Sequence, residues 1–367
     1  MPATDTQAER TATALVVSVP NGAFETQLIH LGEIRPDEIL VRMVATGGTI
    51  PLPMPTILGH EGAGVVEEAG AEVNHVHVGD HVLLSFPACD TCTSCRQGSP
   101  AYCKEGPRLI FGGGRLDGST PFSLADGQDV HLFFGQSSFS SRSIVNGYCA
   151  TRVDKSLPLN VLCPLGCSVQ TGAGTVLNVL NPKVGNSVVV YGAGSVGLAG
   201  IIAAANLTPA TKIIAVDISD DKLRVSREFG ATHTINSSKE DVVEVIKSLT
   251  DGDGSNYAFD TTGKRAVIED MMGASANNAR IASVASPPLG EAVRIEVSKW
   301  IGRGLVYSAV SQGSAVSRSF IPALIDFWKQ GRLPVDRLVT EYSWKDIVKM
   351  ENDVRQGTCI KPVLLWD

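Results

Sequence analysis

The segment Ser187–Asp217, SVVVYGAGSVGLAGIIAAANLTPATKIIAVD, restricts the folds open to this chain more than any other stretch. Val188 to Tyr191 is apolar on consecutive positions and rich in β-branched residues, which suits a strand buried on both faces of a parallel sheet. Gly192, Gly194 and Gly197 follow as G-x-G-x-x-G, and Leu198 to Asn206 has the Ala- and Ile-rich character of a helix packed on a sheet. A second apolar strand, Lys212 to Val216, ends in Asp217. The glycines have separate tasks: Gly192 makes the tight turn, Gly194 lets a pyrophosphate approach the backbone, and Gly197 lets helix and strand pack closely. Gly192, Ala193, Gly194, Ser195, Val196 and Gly197 thus form a phosphate cradle at a helix N-terminus. Asp217 lies twenty residues beyond Gly197, placed to accept hydrogen bonds from an adenine-side ribose diol. Its carboxylate would repel a 2′-phosphate, and Ile218 stands where an Arg would welcome one, so the pattern predicts NAD rather than NADP. Lys222 is within reach of the same ribose, with a solvated surface lysine as the competing reading. A G-x-G-x-x-G alone is weak evidence; here strand, turn, helix, strand and acid occur in order.

A chain of 367 residues with 43% hydrophobic residues has material for two sizeable cores. Lys and Arg number 31 against 38 Asp and Glu, a net charge of −7 without long runs of one sign, so no nucleic-acid surface is expected and the predicted partners are small molecules. The N-terminal stretch has no basic start followed by an apolar run, and no segment approaches the ~20 apolar residues of a membrane span. The expectation is a soluble, cytoplasmic protein. Its eight cysteines then read as thiols and metal ligands of a reducing compartment.

Short apolar runs alternate with turn residues from Ala12 to Asp37 and predict a β-rich domain ahead of the dinucleotide-binding unit. Glu38 to Val44 is a further strand. Gly59-His60-Glu61-Gly62 places a nitrogen donor and a carboxylate on a crowded backbone, which suits either a metal or an ordinary hydrogen-bonded pair. Cys89, Cys92, Cys95 and Cys103 give C-x2-C-x2-C-x7-C, dense enough to wrap one tetrahedral zinc with no open position, a structural site; the competing readings are disulfides, disfavoured in a reducing compartment, and an iron–sulfur cluster, whose usual spacing differs. Phe133, Phe134 and Phe139 lie in HLFFGQSSFS, read more simply as a core strand than as the wall of a pocket. Cys167 falls at the junction of the two predicted domains. Beyond Asp217 the alternation continues: helix Lys222 to Phe229, strand Thr232 to Ile235, helix Lys239 to Leu249, strand Tyr257 to Asp260, strand Ile281 to Ala285. This is a doubly wound pattern. The expected boundaries are 1–167, 168–310 and a return of 311–367 to the first domain.

Gly59-His60-Glu61, the four-cysteine lobe, Gly166-Cys167 with Thr171-Gly172, and the dinucleotide fingerprint together resemble the zinc-containing medium-chain alcohol dehydrogenases, from about Ala12 to the C-terminus. Phe133–Phe139, Gln170–Gly174 and Pro287-Pro288-Leu289-Gly290 are similar to the aryl (benzyl) alcohol dehydrogenase branch. The resemblance implies an α/β fold: a GroES-like β-barrel catalytic domain plus a doubly wound parallel (Rossmann) NAD-binding domain. It implies zinc-dependent hydride transfer between NAD and a primary aromatic or allylic alcohol or aldehyde, and a homo-oligomer. It makes His60, Glu61 and Cys167 the expected catalytic zinc ligands, Phe133 and Phe134 pocket walls, Thr49 a proton-relay hydroxyl and Lys361 a pyrophosphate contact. One departure stands out. The family carries a ligand Cys in a G-x-C-H-x-D motif after the strand ending Ala-Thr-Gly, and this chain runs from Gly47 through Gly48-Thr49-Ile50 into prolines, with no Cys before Cys89. A cofactor-binding homologue impaired in dehydrogenase chemistry and a metal-independent reductase of the same fold are the rival readings.

Overall fold

The computed structural model describes residues 10–47 and 53–367. The chain divides into two compact units: Met1–Cys167, Val316–Pro322 and Val335–Asp367 form the first, Ser168–Ala315 and Ala323–Pro334 the second.

Among the described residues the first unit holds a closed barrel of five strands, in the order Thr11–Val17, Phe24–Leu31, Phe122–Leu124, Asp129–Leu132 and Thr56–Ile57. Its other sheet has seven strands. The order is Ala150–Val153, His81–Leu84, Ala63–Ala69, Glu38–Thr46, Lys361–Leu365 and Val339–Ser343, with Arg142–Asn146 pairing beside Glu38–Thr46. The core of the unit takes Ala14, Leu15 and Val16 from Thr11–Val17 and Ile39, Val41 and Met43 from Glu38–Thr46. The C-terminal strand joins this unit antiparallel to Glu38–Thr46, with Leu364 opposite Thr46.

The second unit is a six-stranded parallel sheet among the described residues, ordered His233–Asn236, Lys212–Asp217, Ser187–Tyr191, Ser255–Asp260, Ser275–Ser283 and Val306–Ala309. Val188, Val189 and Val190 have no exposed surface and Tyr191 only 1%, as a central parallel strand requires. The helix Ser195–Leu207 packs against it so closely that a Cβ on Gly197 would lie 1.8 Å from the carbonyl oxygen of Gly192.

Several boundaries differ from the sequence reading: the helix expected at Lys222 to Phe229 runs over Asp220–Glu228, the strand expected at Thr232 to Ile235 over His233–Asn236, and that at Tyr257 to Asp260 over Ser255–Asp260. The helix expected from Lys239 starts at Val242, because Asp241 caps it by accepting the Glu244 N–H (3.1 Å), while the Lys239 and Glu240 N–H groups return to the Asn236 carbonyl. The strand expected at Ile281 to Ala285 runs over Ser275–Ser283. Residues 311–315 and 323–334 pack with the second unit instead of the first. Hydrogen bonds from Asn206 to the Arg332 carbonyl (2.9 Å) and from Arg332 to the Asn206 carbonyl (2.8 Å) hold that last stretch to the end of the helix Ser195–Leu207.

Gly197→Ala should therefore destabilise the protein by about 2 kcal/mol or more, the range for overpacking a dense interior. Chemical denaturation checks this; an unchanged midpoint would show that helix and strand separate without cost.

Candidate metal centres and dinucleotide site

The four cysteines are brought together. Among the described residues they are the one set of three or more His, Cys, Asp or Glu side chains whose ligand atoms all lie within 4.8 Å of one another. The sulfurs of Cys92 and Cys95 are 3.5 Å apart and those of Cys92 and Cys103 are 4.0 Å apart. Zn–S bonds of about 2.3 Å in a tetrahedron place sulfurs roughly 3.8 Å apart, so the set fits a closed zinc site. Local structure explains the arrangement. Cys92 caps the short helix Thr93–Arg96 that carries Cys95, and Cys103 follows the turn Pro100–Tyr102. Backbone N–H groups of Lys104 and Cys95 hold the Cys92 thiol down at about 6, while burial pushes the Cys95 thiol up. His75 is not a fifth donor to this lobe: its Nε2 meets the Gly147 carbonyl at 3.0 Å, and burial, then Arg318, lowers its pKa.

His60 and Glu61 follow Gly59, whose φ of +85° and lack of room beside Phe139 exclude any side chain. The His60 N–H donates to the Gly47 carbonyl (3.0 Å), and its ring lies 4.7 Å from Phe134 and 5.4 Å from Phe133, centroid to centroid. Both phenylalanines are buried, 0% and 4% exposed, yet the strand expected through them stops at Leu132. A turn replaces it, with positive φ at Phe134, Gly135 and Ser137. The Ser137 hydroxyl fixes this turn by accepting the Phe133 N–H and donating to the Ile57 carbonyl, each at 2.8 Å.

Sequence reasoning missed the residue that positions His60. Gln136, fully buried, accepts the Gly62 N–H (3.0 Å) and donates to the carbonyls of His60 and Ser85 (both 2.9 Å). Its only sequence signal is a polar amide inside an otherwise apolar and hydroxylic run.

Cys167 ends the turn Cys163–Gly166, which packs flat on the strand His81–Leu84: a Cβ on Gly166 would lie 2.0 Å from the Leu84 carbonyl oxygen. Cys167, His60 and Glu61 are not gathered into one set as the four cysteines are. Glu61 is instead ion-paired with Lys361, the two side chains being 1% and 8% exposed. Among the described residues, His60, Glu61 and Cys167 therefore do not assemble a second, three-ligand zinc centre; His60 and Cys167 remain as its conventional donors. Lys361, expected at a pyrophosphate, is held by Glu61, and Thr49 lies outside the described residues.

In the second unit Asp217 accepts N–H bonds from Ala193 (2.8 Å) and Ser219 (3.0 Å), tying the glycine turn to the end of the neighbouring strand. Gly192, at φ +91°, has Thr261 Oγ1 2.4 Å from where a Cβ would sit. Gly194 is the opposite case, with nothing within 4 Å of its Cβ position, at the N-cap of the thirteen-residue helix Ser195–Leu207. That helix has no acidic residue in its first turn. An open cradle at a helix N-terminus with an acid at the next strand end fits a dinucleotide pyrophosphate and ribose. Lys222 borders the same cavity as Asp217.

A doubly wound unit with this cradle, and a barrel unit carrying a four-thiol lobe, define the class of zinc-bearing, dinucleotide-linked dehydrogenases. The chain belongs to the zinc-binding medium-chain alcohol dehydrogenase family: residues 31–129 match the alcohol dehydrogenase GroES-like domain and residues 195–330 the zinc-binding dehydrogenase domain. It is 32% identical over 373 residues to a geraniol dehydrogenase of Castellaniella defragrans, covering 99% of this chain and 100% of the relative. Among solved structures it is similar to an alcohol dehydrogenase zinc-binding domain protein from Burkholderia ambifaria (39% identity, TM-score 0.94, 98% of this chain and 100% of that one). Benzyl alcohol dehydrogenase from Acinetobacter calcoaceticus is likewise similar (36% identity, TM-score 0.92, 97% and 99%).

Cys89→Ser or Cys103→Ser should release about one equivalent of tightly held zinc and lower the melting temperature, since binding a closed thiolate site is coupled to folding. Metal analysis of the purified variants checks this, and full zinc content in both would refute it.

Proposed function

We propose that this chain is an NAD-linked alcohol dehydrogenase of the zinc-dependent family, passing hydride between NAD and a primary aromatic or allylic alcohol or its aldehyde. The observation that carries the reading is the open space over Gly194 at a helix N-terminus, with Asp217 at the adjoining strand end. The substrate class is supported by the names of two relatives, a geraniol and a benzyl alcohol dehydrogenase.

In this reading NAD, when bound, supplies the hydride acceptor. The chain's own residues bind and orient it: backbone N–H groups at the start of the helix Ser195–Leu207 face the pyrophosphate, and Asp217 takes the ribose diol and turns away a 2′-phosphate. Lys222 adds a cation at that ribose. Phe133 and Phe134, packed on His60, supply an apolar wall suited to an aromatic substrate, and Thr49 is the proposed proton-relay hydroxyl. The four cysteines would hold a structural zinc. With Glu61 paired to Lys361 through Oε2, His60 and Cys167 fall one protein ligand short of a three-ligand zinc site among the described residues, and no step is assigned to a metal there. A cytoplasmic setting, in which cysteines stay reduced, belongs to the same proposal; the eight cysteines form no disulfide among the described residues. Exposed Leu289, Val297 and Ile301, with Val306 on the sheet's edge strand, support a homo-oligomer.

NADH formation from benzyl alcohol and from geraniol tests the activity, with turnover expected on NAD and little on NADP. Asp217→Ser combined with Ile218→Arg should shift binding toward NADP; a parent protein that already binds NADP more tightly than NAD would refute the assignment of Asp217.

Gly194→Ala separates the cradle from the fold. Its methyl meets no protein atom, so the unfolding midpoint should hold, while NAD affinity should fall at least tenfold, about 1.4 kcal/mol. Unchanged affinity in a fluorescence titration would remove Gly194 from the cofactor site.

A further inference from the structure

The second unit contains a cavity of about 190 Å³ at the ends of the strands Ser187–Tyr191 and Lys212–Asp217. Val216, Ile218, Val242 and Val267 line it, and Asp217 stands on its wall. If Asp217 takes the adenosine ribose, the base attached to that ribose enters this apolar slot; the inference below rests on that cofactor reading.

Besides Asp217, the polar residues of the lining are Lys222, Ser237, Thr262, Lys264, Tyr191 and Asp270, and the last two bear on the base. The Tyr191 hydroxyl is shut off from solvent and has no hydrogen-bond partner among the described residues. Nothing in the sheet requires it, since a phenylalanine would fill the same space, and an unpaired buried hydroxyl is costly. Burial, followed by the charges of Asp270 and Asp260, raises the phenol well above its ordinary range, so it is a donor at neutral pH. Asp260 is already satisfied by Thr262 and Gly263. Asp270 is exposed and has no ion pair or side-chain hydrogen bond among the described residues, so its carboxylate can exchange water for a ligand donor. Partial burial, with Asp241 and Glu269 nearby, lifts its pKa above the usual carboxylate value.

We infer that Tyr191 and Asp270 read the base edge of the dinucleotide and select adenine over a 6-oxopurine. Adenine presents an amino donor at C6 and an acceptor at N1, the complement of one carboxylate and one phenol. Hypoxanthine reverses both, with an oxygen at C6 and a proton on N1. The carboxylate then faces an acceptor and the phenol faces a donor.

The test is a fluorescence titration of the parent protein, Tyr191→Phe and Asp270→Asn with NAD and with nicotinamide hypoxanthine dinucleotide. The parent should prefer NAD by about tenfold, the worth of one charge-assisted hydrogen bond. Both variants should bring the ratio toward one. Tyr191→Phe should do so without lowering the melting temperature of the unliganded protein, because it deletes an unsatisfied group and keeps the ring. Equal parent affinities, or an unchanged ratio in both variants, would overturn the base-reading role and leave the cofactor reading standing. Failure to bind either dinucleotide would overturn both.

Discussion

A carboxylate and an ammonium buried together govern the middle of the first unit. Glu61 sits just past the tight Gly59 turn, and Lys361 opens the C-terminal strand, so their ion pair joins residues three hundred positions apart. Neither charge is tolerable alone: removing one partner of a buried pair costs about 3–5 kcal/mol, most of it the stranded charge. The pair also dictates its surroundings. A Cβ on Gly47 would meet Glu61 Oε2 at 2.9 Å, the Pro362 carbonyl at 3.0 Å and Lys361 Nζ at 3.4 Å, so the backbone leaving the strand Glu38–Thr46 passes where only glycine fits. Three stretches of sequence are thereby made interdependent, and the antiparallel register of Leu364 with Thr46 follows from the same convergence.

Gln136 completes that arrangement from the other side. Its amide bonds to the backbone on both flanks of Glu61, at His60 and Gly62, and to Ser85. The turn that delivers it holds Phe134 and Ser137 in the left-handed region, where a residue with a Cβ stores roughly 1–3 kcal/mol. Ser137's two hydrogen bonds and the burial of Phe133 and Phe134 against His60 offset this strain. Strained backbone here serves a positional end, bringing one amide and two rings to a single histidine.

The sequence made the second unit legible because its determinants are local. Apolar runs, a glycine turn and a terminal acid lie within thirty-one residues, and each of Gly192, Gly194 and Gly197 meets the steric setting its motif position demands: crowding by Thr261, open space, and the Gly192 carbonyl. The cysteine lobe was legible for the same reason, its spacing being short enough to enforce its geometry. Gln136 and the Glu61–Lys361 pair were not. Their meaning comes from partners dozens to hundreds of residues away, and neither periodicity nor motif spacing encodes such a meeting. Phe133 and Phe134 were misread as strand residues because apolar alternation does not report a positive φ, which the Ser137 hydroxyl imposes from four residues further on.

Family membership and a departure at one site coexist because they rest on different numbers of residues. A fold is specified by many buried positions acting together, most of them replaceable by another apolar residue of similar volume, so its signal survives extensive change. A metal centre rests on three or four donors and has no such redundancy. In this chain the carboxylate beside His60 is held by an ion pair through its Oε2, so a metal on its other oxygen would share Glu61 with Lys361. That sharing sets a buried ammonium near an incoming dication, an unfavourable arrangement of those charges in a medium that screens poorly. Such a metal would have to offset this repulsion through its remaining donors. The four-cysteine lobe faces no such competition, and that asymmetry between the two sets of donors is built into the chain by Lys361.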